Sequence, residues 1–185
     1  MGFDIYGVAP VERTPKPVSE KDFQYMNDQE RDDYFKAMNQ FEKENPGAYF
    51  RNNVWWWRPL WNYVCVVCKD ILDTNDIQAG FYNDGHTIDA DTVADMCILL
   101  NKEIRENKHV EYENLYKERI LSLPLEDCDL CNATGQRNDD YVKGTCNKCQ
   151  GKGKVKSFEA EYPFSAENVE KFLLFLSESG GIQIF

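Results

Sequence analysis

The chain has 185 residues, 32 acidic against 21 basic side chains, a formal net charge of -11 and 42% hydrophobic residues. That length fits one domain with a small appended module, the apolar content is that of a folded chain, and the acidic balance argues against simple nucleic-acid binding, which neutralises phosphates with clustered Lys and Arg. No run approaches the roughly 18 apolar residues that span a bilayer, and Met1-Gly2-Phe3-Asp4 lacks the basic start of a secretory signal, so a cytoplasmic chain with no membrane partner is expected.

Gly2 to Val8 alternates, with Phe3 and Ile5 on one side and Asp4 and Tyr6 on the other, and reads as a short strand. Ala9 to Pro17, with three prolines, ends it in an irregular connection. Asn27 before Asp28-Gln29-Glu30 starts a helix that Tyr34, Met38 and Phe41 continue until Asn45-Pro46-Gly47. Pro59 predicts the first turn of a second helix, because its missing N–H costs nothing there and Arg58 before it is pushed out of the helical region. Leu60, Trp61, Val64, Cys65, Cys68, Ile71 and Leu72 then form one apolar stripe.

After the turn at Asn83-Asp84-Gly85, Asp89 or Asp91 caps a third helix whose buried face runs Val93, Met96, Cys97, Leu100 and Ile104. A fourth helix follows to Leu121, with Tyr112, Leu115, Tyr116, Ile120 and Leu123 on an apolar side that Arg119 interrupts. Ser165 caps the last helix, which carries Val169, Phe172, Leu173 and Leu176; Gly180-Gly181 ends it before a strand over Ile182 to Phe185. The two terminal strands are expected to pair, since each alone leaves ladder groups unpaired. The expected fold class is α+β, mainly helical, with a small sheet from the N- and C-terminal strands and an inserted zinc knuckle. In this reading residues 1–125 form the body, 126–156 the zinc-binding module, and 157–185 a helix and strand that return to the body.

Cys128-Asp129-Leu130-Cys131 and Cys146-Asn147-Lys148-Cys149 are two CxxC pairs separated by fourteen residues, the spacing of a four-thiolate site for one Zn2+ per chain. Two thiolates three residues apart reach one ion from a tight turn, and two such turns close a tetrahedron. Gly135, Gly151 and Gly153 sit where the backbone must turn around the metal. From Cys128 to Lys156 six basic residues (Arg137, Lys143, Lys148, Lys152, Lys154, Lys156) face three acidic ones, so this segment carries about +3 and the remainder about -14. A basic module of this kind can meet phosphate or an acidic protein surface, and a solvated loop has the same composition.

Cys146 to Gly153 reads CNKCQGKG and resembles the CxxCxGxG repeat of the cysteine-rich region of DnaJ-type co-chaperones. The first copy, Cys128 to Gly135, has Ala133 where that repeat has its first glycine. The resemblance covers about 26 residues, half of that region, without the family's helical J-domain or its HPD tripeptide. It implies four zinc ligands here and, as one functional alternative, a thiol or client-binding role.

Cys65-Val66-Val67-Cys68 is a third CxxC, but it lies inside an apolar helical stripe rather than at a helix N-terminus, so buried, inert cysteine is the favoured reading over redox chemistry or a second metal with Cys97 and His86. Trp55-Trp56-Trp57 cannot all face one core, since helix and strand both turn neighbours apart. At least one must meet solvent, a second element or a partner. With Arg51 and Arg58 the three tryptophans form a candidate partner-binding group, because Trp and Arg dominate binding hot spots and a guanidinium stacks on indole. The competing reading is that they pin the terminal strands against the second helix.

The stretch YFRNNVWWWRPLW from Tyr49 to Trp61, with Gly2-Phe3-Asp4-Ile5-Tyr6-Gly7, the Asn83-Asp84-Gly85-His86 turn and Gly180-Gly181, resembles a family of uncharacterised bacteriophage and bacterial proteins. That resemblance spans nearly the whole chain and implies a phage or prophage context, hence a host-cell cytoplasm, but no activity. With His86 and His109 the only histidines, and no nucleophile elbow, phosphate loop or HExxH, no standard catalytic set is present. Asp84, His86 and Arg51 are the residues from which a small polar site would have to be built. The expected function is therefore non-catalytic: a zinc-binding chain that acts by binding another protein. The alternative is a nucleic-acid module whose zinc segment meets phosphate while the tryptophans stack bases.

Overall fold

The computed structural model describes residues 2–19 and 21–185. Its internal contacts divide the chain into two compact units, Met1–Val110 with Ser165–Phe185, and Glu111–Phe164.

The first unit is α+β. Strands β1 (Gly2–Gly7), β2 (Tyr49–Asn53), β3 (His86–Ile88) and β8 (Ile182–Ile184) form one antiparallel sheet in the order β2-β1-β8-β3. The expected pairing of the chain's two ends is found, with Ile5 opposite Ile184 and Gly7 opposite Ile182. Strands β2 and β3 extend it on either side, which the sequence reading did not foresee. Alternation sends Phe3, Ile5, Ile88, Ile182 and Ile184 to a buried face and Asp4, Tyr6, Tyr49 and Arg51 to the other.

The α-helices of this unit start at local capping residues. Helix α1 (Asp28–Glu44) is closed by a capping box between Asn27 and Glu30. Helix α2 (Val54–Val67) starts where the Asn53 side chain accepts the N–H groups of Trp55 and Trp56, each at 3.1 Å. Pro59 is therefore the sixth residue of α2 and not in its first turn, and Arg58 is helical. The cap at Asn53 and the burial of Trp57 set this register, and the helix forgoes one backbone bond at Pro59. Helix α3 (Thr74–Ala79) is a short turn capped by Asp73, unforeseen in the sequence; α4 (Ala90–Arg105) is capped by Asp89, and α6 (Ala166–Ser179) by Ser165, with Gly180 left-handed at φ 60°. Helices α2 and α6 pack on the apolar face of the sheet and α4 packs on α6. Cys97, Ile104 and Leu173 are only half-buried, at the margins of that core.

Helix α5 (Lys108–Ser122) runs from the first unit into the second. Within the second unit Phe164 meets Tyr112 at 4.7 Å and Tyr116 at 5.8 Å, and the Tyr116 hydroxyl donates to the Tyr162 carbonyl. Leu115, placed on the apolar side by sequence, is exposed. Arg119 interrupts that side because its guanidinium lies over the Tyr116 ring, 4.9 Å from the centroid, and pairs with Glu159. The unit also holds two small antiparallel sheets, β4 (Glu126–Asp127) with β7 (Lys154–Val155), and the hairpin of β5 (Gln136–Asn138) with β6 (Lys143–Thr145).

Candidate metal centre

Cys128, Cys131, Cys146 and Cys149 are all buried, and their sulfurs lie within 4.8 Å of one another. The Cys128–Cys146 and Cys131–Cys149 sulfurs are 3.8 and 3.7 Å apart. Four sulfurs placed tetrahedrally at the Zn–S distance of about 2.3 Å would be separated by about 3.8 Å. Among the described residues this is the one group of three or more ligand side chains that meets in space.

At the scale of eight residues the two halves repeat. Gly135 and Gly153 N–H each donate to the second sulfur of their own pair, at 3.3 Å. The Cys128 N–H donates to the Gly153 carbonyl and the Cys146 N–H to the Gly135 carbonyl, both at 2.9 Å. Each half thus closes on the other, which holds both turns in place around the four sulfurs. Backbone N–H groups aimed at sulfur favour the thiolate, the form a metal needs. The Cys146 thiol is lowered chiefly by the backbone N–H of Cys149, whereas burial pushes Cys128 up. Val155 packs against the cluster, so the turns have a thiolate core with one aliphatic neighbour in place of an apolar core.

The close approach explains the glycines. A Cβ on Gly135 would stand 2.3 Å from the Gly151 carbonyl oxygen, and one on Gly153 2.2 Å from that of Ala133, with φ positive at both. Ala133 occupies the counterpart of Gly151 and takes φ 63°, a left-handed conformation that costs a residue with a Cβ roughly 1–2 kcal/mol. Ala133→Gly should therefore tighten metal binding by about fivefold, read by competition with a chromogenic chelator. Unchanged or weaker affinity would mean that the loop does not hold Ala133 in this conformation.

The other cysteines are of a different kind. Cys68 is buried as expected, whereas Cys65 is only half-buried, as is Cys97; partial or full burial pushes the three thiols up, to about 12 for Cys65 and Cys68 and about 11 for Cys97. Cys65 lies in the last turn of α2 and Cys68 caps its C-terminus, the end whose dipole disfavours a thiolate. His86 is not with them: its Nε2 is 2.8 Å from Asp76 Oδ1 on α3. Nor does the polar group of Asp84, His86 and Arg51 assemble. Arg51 is on β2 and pairs with Asp4 at 3.4 Å, while His86 is on β3 at the opposite edge of the sheet.

The three tryptophans divide as a helix requires. Trp57 is fully buried, stacked between Phe3 (5.3 Å) and Trp61 (5.5 Å), and its Nε1 donates to the Gly80 carbonyl at 2.6 Å. Trp55 and Trp56 remain 36% and 37% exposed on the first turn of α2, with Arg51 and Arg58 also exposed. The pinning role thus belongs to Trp57 and the accessible surface to its two predecessors. Of the six cations in the cysteine segment, Arg137 pairs with Asp139, Lys148 with Asp129, and Lys154 with Asp127. Lys143, Lys152 and Lys156 are exposed. No described helix is long and apolar enough to cross a membrane.

Comparison of the chain with protein-family models, with curated proteins and with solved structures finds no match.

Proposed function

We propose that this chain is a non-catalytic zinc protein that acts by binding another protein through Trp55, Trp56, Arg51 and Arg58. The observation that carries the reading is the pair of large indoles left exposed on the first turn of α2, flanked in sequence by the exposed Arg51 and Arg58, a composition typical of binding hot spots. The four-cysteine centre suits a structural Zn2+ with all four positions taken by protein, which leaves no open site for substrate. In the phage setting that the family resemblance implies, the partner would belong to host replication, transcription or defence machinery.

Charge favours a protein over a nucleic acid. Four thiolates and one Zn2+ sum to -2, so the loaded cysteine segment falls from about +3 to about +1, and half of its cations are already ion-paired. The test is capture on the tagged chain from bacterial lysate, with and without nuclease, alongside the double variant Trp55→Ala/Trp56→Ala. A discrete partner that survives nuclease and is lost from the variant is the expected result. Recovery of nucleic acid alone, with binding that weakens steeply with salt, would overturn it in favour of a nucleic-acid module that uses Lys143, Lys152 and Lys156.

A further inference from the structure

A second site lies in the first unit and uses none of the cysteines or tryptophans above. The end of β1 and the segment after it, with α1 and the start of β2, line an open cavity of about 380 Å³. That volume is in the range of small-molecule sites, about 300–1,000 Å³. Its apolar wall is Tyr6, Pro10, Phe41 and Tyr49, and its charged groups are Glu12, Lys16 and Glu42.

The wall is built with unusual care for a segment without regular structure. The N–H groups of Val8, Ala9 and Val11 donate to the carbonyls of Gly181, Ser179 and Glu178 at 2.8–3.0 Å. Arg13 grips the Glu178 carboxylate through both guanidinium nitrogens. Asn45, fully buried, accepts the N–H groups of Arg13 and Thr14 and donates to the Thr14 hydroxyl and the Phe41 carbonyl. A buried amide that uses both its atoms this way fixes the segment before any ligand arrives, so binding loses little conformational freedom.

The lining selects for positive charge. The Tyr6 and Tyr49 rings lie 5.2 Å apart, tilted by 39°, and the Tyr49 hydroxyl donates to Asp4, which places a carboxylate behind the phenol and enriches its ring in electron density. Glu42 is half-buried and, among the described residues, forms no hydrogen bond or ion pair; burial pushes its carboxyl up and the charge of Lys16 draws it back down. The lining thus carries two carboxylates against one ammonium group beside the rings of Tyr6, Phe41 and Tyr49, a combination that attracts organic cations.

We propose that this cavity binds an organic ammonium group of lysine side-chain size, with its charge held by Glu42 and Glu12 and its methylene chain against Tyr6, Tyr49 and Phe41. Lys16 is then the resident cation that a ligand displaces. The shared chemistry has two sources, a free alkylamine or a lysine side chain of a polypeptide.

Met38 also lines the cavity and supplies the probe. With methionine methyl groups labelled, the full chain is titrated with n-butylammonium, with Nα-acetyl-lysine methylamide and with neutral n-pentanol, and the methyl of Met26 serves as reference. The expected result is a saturable shift of Met38 with the two ammonium probes and none with the alcohol. Glu42→Gln should weaken binding about fivefold and Lys16→Met should strengthen it, with Glu12→Gln in reserve should the first variant misfold. Tighter binding of the lysine amide assigns the site to a polypeptide, and tighter binding of butylammonium to a free amine. Equal shifts with pentanol, no saturation, or indifference to both Glu variants would overturn the proposal.

Discussion

Cys128→Ser/Cys131→Ser should abolish metal binding and unfold the cysteine turns while leaving the first unit intact. The buried cluster of those turns is four cysteines with Val155 against them, so almost no apolar area offsets the entropy of ordering them once the metal is gone. Structural zinc contributes an apparent ~10–16 kcal/mol in small zinc-finger peptides, far more than these turns gain from any other contact. Metal analysis of the purified chain should give about one zinc per chain, and the double variant none. In a 1H–15N spectrum the amides of residues 126–156 should collapse to random-coil positions, as they should on adding a strong chelator to the unmodified protein. Retention of dispersed amides in that segment without metal would show that the turns fold by themselves. A second metal, iron for instance, would leave the ligand assignment intact and replace zinc in the proposed function.

Trp57→Ala should destabilise the first unit by about 3–5 kcal/mol, whereas Trp55→Ala and Trp56→Ala should each cost less than about 1 kcal/mol. Trp57 is closed in by Phe3, Trp61 and Phe172, and its truncation opens a cavity and strands the Gly80 carbonyl that its Nε1 satisfies. Thermal melts should show a midpoint lower by roughly 10 °C for Trp57→Ala and almost none of that shift for the other two. The contrast separates packing from binding within three adjacent identical residues. A comparable loss at Trp55 or Trp56 would mean that their indoles are structural and would remove the surface on which partner binding is proposed.

Several features were legible in the residues because they are decided within a few positions of chain. The CxxC spacing places two thiolates on one turn whatever surrounds it, and a four-sulfur set leaves a metal as the economical way to bury it. The caps at Asn27, Asp89 and Ser165 satisfy N–H groups two or three residues onward. The terminal strands announced themselves by alternation and found each other because an isolated strand leaves its ladder unpaired. Even the shared Gly135 and Gly153 geometry was implicit in the eight-residue repeat, once read as two equivalent turns.

What tertiary structure alone decided are matters of register and long-range partnership. Pro59 argued locally for a helix start, but the burial of Trp57 between Phe3 and Trp61 outweighs one missing backbone bond and moves the start to Val54. That register, not the run of three tryptophans, determines which indoles face solvent. Arg119 looked like a break in an apolar face until Glu159, forty residues on, supplied its partner. Arg51 and His86 were drawn to different edges of the sheet by the strand order, and Asn45 fixes a segment more than thirty residues earlier in the chain. Contacts of this kind depend on which distant surfaces the hydrophobic core brings together, and short-range pattern carries no record of them.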